Sequence, residues 1–396
     1  MFVALISFAA LAATLYAIVR DARRAEADGR SVGRRLLSAA FFLALQAFTG
    51  GHAAIGMVEN DILSALVLNI ALSGCALASC QAPRIRARLE RLVGADGRFA
   101  HPLVASVAFV LLAGVFATLA LEIPSNHNLL WMYPLCLLLE WSLITALIAG
   151  LFFIFQRRAG APGVLASLFY VLGLAEHFVI TFKSMPIAPG DLSALSTAMA
   201  VAGTGYSYIL NPFCLYGMAF AALAVYTLRV AALIAPERRA GARAVAINAL
   251  VGVLCFAGVG AHVTLVDYYN QLYIQVYTWR PLESYYRQGF LPSFISGAQT
   301  IKPPVPEGYN IGTAQDLIKE HAERYDEGEG ATIERQQAVA QFDEEKPTVI
   351  TIMNETFSDL SIYQNLHAGY EGPQFFKSIP DALQRGVLYV SAYGGG

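Results

Sequence analysis

The sequence predicts a polytopic α-helical membrane protein with about eight transmembrane helices, and three observations carry that expectation. Apolar runs recur along the first 266 residues, each close to the roughly 20 residues needed to cross a bilayer core. Arginines crowd every second connection between those runs, and beyond them the chain turns polar and rich in Glu, Gln and Pro. The composition agrees. Hydrophobic residues make up 56% of the chain and charged residues 14%, with a mean hydropathy of +0.50, outside the range of an ordinary soluble domain. A net charge of −2 without any Lys/Arg-rich tract argues against a nucleic-acid partner.

The apolar runs read as spans at 1–19, 36–58, 62–80, 102–123, 129–155, 162–182, 209–234 and 244–266. The connections test this map independently. Arg20, Arg23, Arg24, Arg30, Arg34 and Arg35 follow the first span, and Arg84, Arg86, Arg88, Arg91 and Arg98 follow the third. Arg157 and Arg158 follow the fifth, while Arg229, Arg238, Arg239 and Arg243 lie at or beyond the end of the seventh. The alternate connections hold only Lys183. Since cytoplasmic loops carry the excess of Lys and Arg, both termini are expected outside the cytoplasm. The arginines follow the first apolar run instead of preceding it, which is the pattern of an uncleaved helix and not of a signal peptide; the alternative is a missing or misassigned N-terminus.

All five cysteines (Cys75, Cys80, Cys136, Cys214, Cys255) fall inside apolar spans, where they read as small buried hydrophobes. Four other polar residues interrupt the spans. Glu140 maps near mid-depth, and His52, Glu176 and His177 map toward the outer leaflet. Charged groups there are costly unless paired or facing water. Two readings follow: a polar groove that admits a lipid headgroup, or hydrogen bonding between helices.

The longest external connection, 183–208, contains Met185-Pro-Ile-Ala-Pro-Gly-Asp-Leu192, whose prolines and Gly-Asp pair mark a defined turn. The Ala-rich stretch after it suits a short surface helix. Residues 267–345 form a juxtamembrane segment and linker. Asp267-Tyr-Tyr-Asn-Gln-Leu-Tyr-Ile-Gln-Val-Tyr-Thr-Trp-Arg280, with Tyr285, Tyr286, Phe290 and Phe294 beyond, has the aromatic density of a membrane–water interface. The same residues would also suit an aromatic core. Lys302-Pro-Pro-Val-Pro306 breaks regular structure, a helix is expected from Thr313 with a Thr313/Asp316 capping box, and the acidic stretch 326–345 reads as an exposed helix or a connector.

Chemistry would begin in the third region, 346–396. Thr348-Val-Ile-Thr-Ile-Met353 is short, apolar and β-branched, the pattern of a buried parallel strand. Asn354 and Glu355 stand at its carboxyl end, where open α/β sheets bind ligands, and a carboxylate there suits Mg²⁺ or Mn²⁺. A short helix ending near Pro380 and a strand over 386–393 follow, then Gly394-Gly-Gly396.

Met353-Asn-Glu-Thr-Phe-Ser-Asp-Leu360 and Tyr389-Val-Ser-Ala-Tyr-Gly-Gly-Gly396 together resemble the start of the catalytic domain of lipoteichoic acid synthase-like phosphoglycerol transferases. These are bacterial plasma-membrane enzymes of the sulfatase and alkaline phosphatase superfamily. Residues 185–192 and Gly289-Phe-Leu-Pro-Ser-Phe294 also resemble that family's external loop and juxtamembrane segment. The resemblance implies an extracytoplasmic sulfatase-like α/β domain, of which this chain holds the first βαβ portion. It implies glycerol phosphate transfer from phosphatidylglycerol to a cell-envelope acceptor, with Mn²⁺ or Mg²⁺ held by Glu355, a nucleophilic Thr and a later Asp–His pair. That Thr is expected just after Gly396, so this chain carries the first ligand without the nucleophile, and as a fragment it is expected to be inactive. The alternatives are a phosphoethanolamine transferase, a sulfatase-like hydrolase, and a non-catalytic membrane scaffold or transporter.

Overall fold

The computed structural model describes residues 1–24, 31–93, 102–125, 128–194, 207–234, 241–277, 279–301, 305 and 307–344; within 345–396 it describes 346, 348, 350, 351, 359, 361, 370–380 and 382. Eight helices are long and apolar enough to cross a membrane. They are α1 (Phe2–Arg24), α2 (Val32–Ala54), α3 (Ile62–Cys80), α5 (Pro102–Glu122), α6 (Pro134–Ile154), α7 (Gly160–Lys183), α8 (Pro212–Ile234) and α9 (Ala242–Leu265). Local chemistry sets their ends. The Asp61 carboxylate accepts from the Ser64 N–H at 2.7 Å and caps α3. Pro134 opens α6, where its missing N–H costs nothing. Ser184, at φ +57°, closes α7 in the left-handed conformation.

Two differences from the sequence reading concern arginines. α2 begins at Val32, so Arg34 and Arg35 belong to the helix and not to the connection. Arg35 is buried because Asp21 of α1 supplies an ion pair at 2.6 Å. Between α3 and α5 the Arg-rich connection forms α4 (Ala82–Val93), a basic amphipathic helix.

The protein divides into two units, Met1–Ile301 and Lys302–Gly396. The first is built around α8, which contributes to two apolar clusters. One joins α8 to α1, α2 and α3 through Val3, Phe42, Leu68, Leu72, Leu215 and Met218. The other joins it to α5, α6 and α7 through Val110, Leu121, Ile144, Phe152, Phe169 and Leu228. Burial in lipid drives no helix association by itself, so close approach and hydrogen bonds must do it. The Ala-rich face of α8, with Gly217, permits the first. The second comes from Thr14–Ser73–Gln46 (2.8 and 2.9 Å) and from Ser106 to the Ala231 carbonyl (2.9 Å). α9 packs on α6, with Gly252 against the Gly150 carbonyl, and turns Ile247, Leu250, Val253 and Leu254 outward.

Residues 267–301 belong to this first unit. α10 (Pro281–Gln288) and α11 (Phe290–Thr300) fold back onto it, and Tyr268, Tyr285 and Phe290 are buried while Tyr273 and Trp279 stay exposed. The aromatic stretch is thus partly core and partly surface. The 267–277 segment is knitted to these helices by Ser296 Oγ to the Ile274 carbonyl (2.5 Å) and Gln288 Nε2 to the Gln275 carbonyl (2.9 Å).

In the second unit, α12 (Ile311–Glu327) starts at an Asn310 cap that accepts from the Thr313 N–H at 2.8 Å, three residues before the expected Thr313. α13 (Ile333–Glu344) is the exposed helix that the acidic stretch allowed, and α14 (Gln374–Lys377) ends before Pro380. No strand occurs among the described residues. Thr348, Ile350 and Thr351 lie outside any strand, which is what an edge without a pairing partner imposes; the rest of the expected first strand and all of 386–393 fall largely or wholly outside the described residues.

Candidate functional site

Each arginine-bearing connection leaves the first unit at one end; the carboxylates inside the spans gather near the other. Glu140 is the seventh residue of α6, about 9 Å along the helix from Pro134, because α6 starts later than expected. It therefore lies nearer the arginine-poor end than mid-depth. Glu122 closes α5 and Glu176 lies in the last third of α7. All three are completely buried.

Their targets are backbone N–H groups of returning loops. Glu122 Oε1 accepts from Phe290 N and Glu140 Oε1 accepts from Leu291 N, both at 2.9 Å. These are two of the orphan donors at the start of α11, and the helix dipole favours negative charge there. The Glu122 and Glu140 carboxyls also hydrogen-bond each other, which two carboxyl groups can do only when one carries a proton. Gly289 precedes the helix at φ +82°, ψ 164°, and its bare Cα faces Glu140 Oε2.

Glu176 does the same for the other loop. Its Oε2 accepts from Ile187 N at 2.7 Å, and the Ile187 carbonyl accepts from the Tyr285 hydroxyl at 2.9 Å. Ile187 is therefore held from both sides, and Pro189 packs on Gly297 of α11. Burial first, then the Glu176 and Asp191 carboxyls, push the Tyr285 phenol up, so it remains a donor. The two segments singled out by resemblance, 185–192 and 289–294, thus meet in space, joined through α10.

The turn expected in the loop is a 3₁₀ segment, Pro189–Ala194. Asp191 locks it by accepting from Ala188 N at 2.8 Å and pairing with Lys183 at 2.7 Å. Partial burial alone would raise Asp191, but the Lys183 and Ala188 hydrogen bonds and the Lys183 charge outweigh it and lower the pKa below 3.8. A depressed folded-state value means that this contact stabilises the loop fully above pH 3.8 and is lost as pH falls through the lower folded value. Hydrogen exchange at Ala188 and Asp191 is expected to accelerate below about pH 4 in the parent and to be fast already at neutral pH in Asp191→Asn, with little pH dependence. Equal protection in both proteins would remove this role from Asp191.

Of the four polar span residues noted in the sequence, the structure brings Glu140 and Glu176 to the α10–α11 fold-back. His177 is beside them, bonded to the Pro124 carbonyl. His52 is not part of the group: its Nδ1 lies 3.0 Å from the Phe48 carbonyl, and its ring lies tilted against that of Phe48. For Glu140 and Glu176, complete burial and the bonds to loop amides fit the reading of interior hydrogen bonding, to loops more than to neighbouring helices. Glu122 escaped the sequence reading because a carboxylate at the end of a span reads as interfacial.

Glu355 lies outside the described residues. Among the described residues no group of three His, Cys, Asp or Glu side chains is placed to hold a metal ion. Asp359, in the same motif, accepts from Ser361 N (2.9 Å) and Ser361 Oγ (2.6 Å) and pairs with Lys377 (3.0 Å). These bonds hold its pKa below the usual carboxylate value. The described residues therefore do not form a site fitted to Mn²⁺ or Mg²⁺. Comparisons of the chain with family models, curated proteins and solved structures return no match.

Proposed function

We propose that this chain is the membrane half and catalytic-domain start of a lipoteichoic acid synthase-like phosphoglycerol transferase. Its donor is phosphatidylglycerol in the outer leaflet, and its acceptor is a component of the cell envelope. The observation that carries the reading is the Met353–Leu360 motif, with its Asn-Glu pair after an apolar β-branched run and its Gly-rich companion at 394–396. Support comes from the fold-back: two segments about 100 residues apart that share the same family likeness pack on each other through Ile187 and Tyr285. The positive-inside pattern supports an extracytoplasmic position for residues 267–396.

Glu355 is proposed as the first ligand of Mn²⁺ or Mg²⁺, since a strand-end carboxylate is suited to a hard divalent cation. The test uses the protein translated from its gene read through the Gly396 codon, in phosphatidylglycerol vesicles with Mn²⁺. Diacylglycerol release is expected in the parent, and Glu355→Ala is expected to lower it by about a hundredfold or more. The same substitution is expected to weaken Mn²⁺ binding measured by calorimetry. Undiminished release and metal binding in Glu355→Ala would overturn the ligand assignment, and a parent that releases no diacylglycerol would overturn the activity.

A further inference from the structure

The arginine-rich end of the first unit contains a groove that plays no part in the proposed transfer. A cavity of about 320 Å³ opens between α3, α4 and α8, lined by Ser38, Ser79, Ile85, Tyr226, Arg229 and Leu233 among small apolar neighbours. Its one charged lining residue is Arg229, set in the apolar helix α8 about 8 Å before its last residue, Ile234. Arg229 Nη1 donates to the Ser38 carbonyl at 2.7 Å and to Ser79 Oγ at 3.3 Å, and the guanidinium lies 4.9 Å over the Phe42 ring.

Those contacts use one nitrogen of a group with five N–H donors. No carboxylate pairs with Arg229 among the described residues. A cation within a membrane-spanning helix and without a counter-charge is costly, and such residues mark ligand sites. The depth is that of a headgroup region, where a long side chain can reach from an apolar helix to a phosphate. α4 adds a second, independent observation. Its Ile85 lines the cavity while Arg84, Arg88 and Arg91 are exposed along it, the arrangement of an interfacial helix drawn to anionic lipid.

We propose that this groove binds one anionic phospholipid from the leaflet at the arginine-rich end, with its phosphate on Arg229 and one acyl chain against Ile85, Tyr226 and Leu233. The occupant is a lipid and not a free phosphate, because most of the lining is apolar and the chain spans a membrane. The inference does not rest on the transferase reading, since it concerns the opposite end of the helical unit and no residue of 302–396.

The test uses the delipidated full chain in detergent and native mass spectrometry, with phosphatidic acid as the probe. That lipid carries the phosphate without the glycerol headgroup of the proposed donor. It is expected to bind at least about tenfold more tightly than phosphatidylcholine with the same acyl chains. Arg229→Gln and Ile85→Trp are each expected to lower phosphatidic acid binding by about tenfold or more, the first by removing the charge and the second by filling the groove. Should Arg229→Gln fail to fold, Ile85→Trp decides. Unchanged binding in Ile85→Trp, or equal binding of the two lipids, would overturn the proposal. So would displacement of the lipid by an equal concentration of glycerol 3-phosphate, which has no chain to occupy the groove.

Discussion

Gly289→Ala is expected to destabilise the first unit by about 3 kcal/mol or more, the largest single effect of any substitution in the fold-back. Two costs add. At φ +82° and ψ 164° the backbone is in a region nearly closed to residues with a Cβ. The added carbon would also stand 2.5 Å from Glu140 Oε2 and 2.8 Å from Met132 Cε. Met132 can swing its terminal methyl away. Glu140 cannot withdraw without releasing Leu291 N and its bond to Glu122. Thermal melting of the detergent-solubilised protein and hydrogen exchange at the first amides of α11 measure the effect. A parent-like melting temperature with unchanged exchange would show that the turn tolerates a side chain.

The second large effect separates two substitutions at one position. Glu140→Ala leaves the Leu291 N–H without its acceptor and Glu122 without its carboxyl partner, all in a fully buried site, and is expected to cost about 3 kcal/mol. Glu140→Gln is expected to cost less than about 1 kcal/mol. Its amide oxygen can take the Leu291 N–H, and its amide hydrogens supply the bond to Glu122 that a carboxyl pair makes only with a shared proton. The contrast is the informative quantity. If Glu140→Gln were as damaging as Glu140→Ala in the same melting experiment, an ionised Glu140 would be required, and the proton-sharing pair would be the wrong description.

Much of the helical unit could be read from the residues, because hydropathy and arginine placement are local and additive along the chain. The third span, 62–80, coincides with α3, and the others differ by a few residues at their ends. The displaced ends have identifiable causes. α6 starts at Pro134 instead of 129, since proline suits only the first helical turn, and α2 reaches back to Val32 because Asp21, on another helix, neutralises Arg35. The first cause is in the sequence; the second depends on a tertiary contact.

The carboxyl site was legible only in part. Glu140 and Glu176 stand out as acids among apolar residues, but their partners are backbone N–H groups, which no residue type announces. Phe290 lies 168 residues from Glu122, and Leu291 lies 151 from Glu140. The aromatic run after α9 could equally have been surface or core, and which of its rings are buried depends on the pockets that α5, α6 and the 185–192 loop provide. For 346–396 the β-branched pattern implies a strand, yet a strand exists only against a partner, and none is present among the described residues.

The fold-back also sets an order of events in making the protein. Glu122 and Glu140 are synthesised and inserted long before Phe290 and Leu291, so through most of translation two acids wait in a nascent bundle for the amides they finally accept from. Their final partners exist only once residue 291 has emerged, after all eight spans. The bundle is therefore finished last, from its C-terminal side, and residues beyond 301 emerge only once the amides that close it have been made.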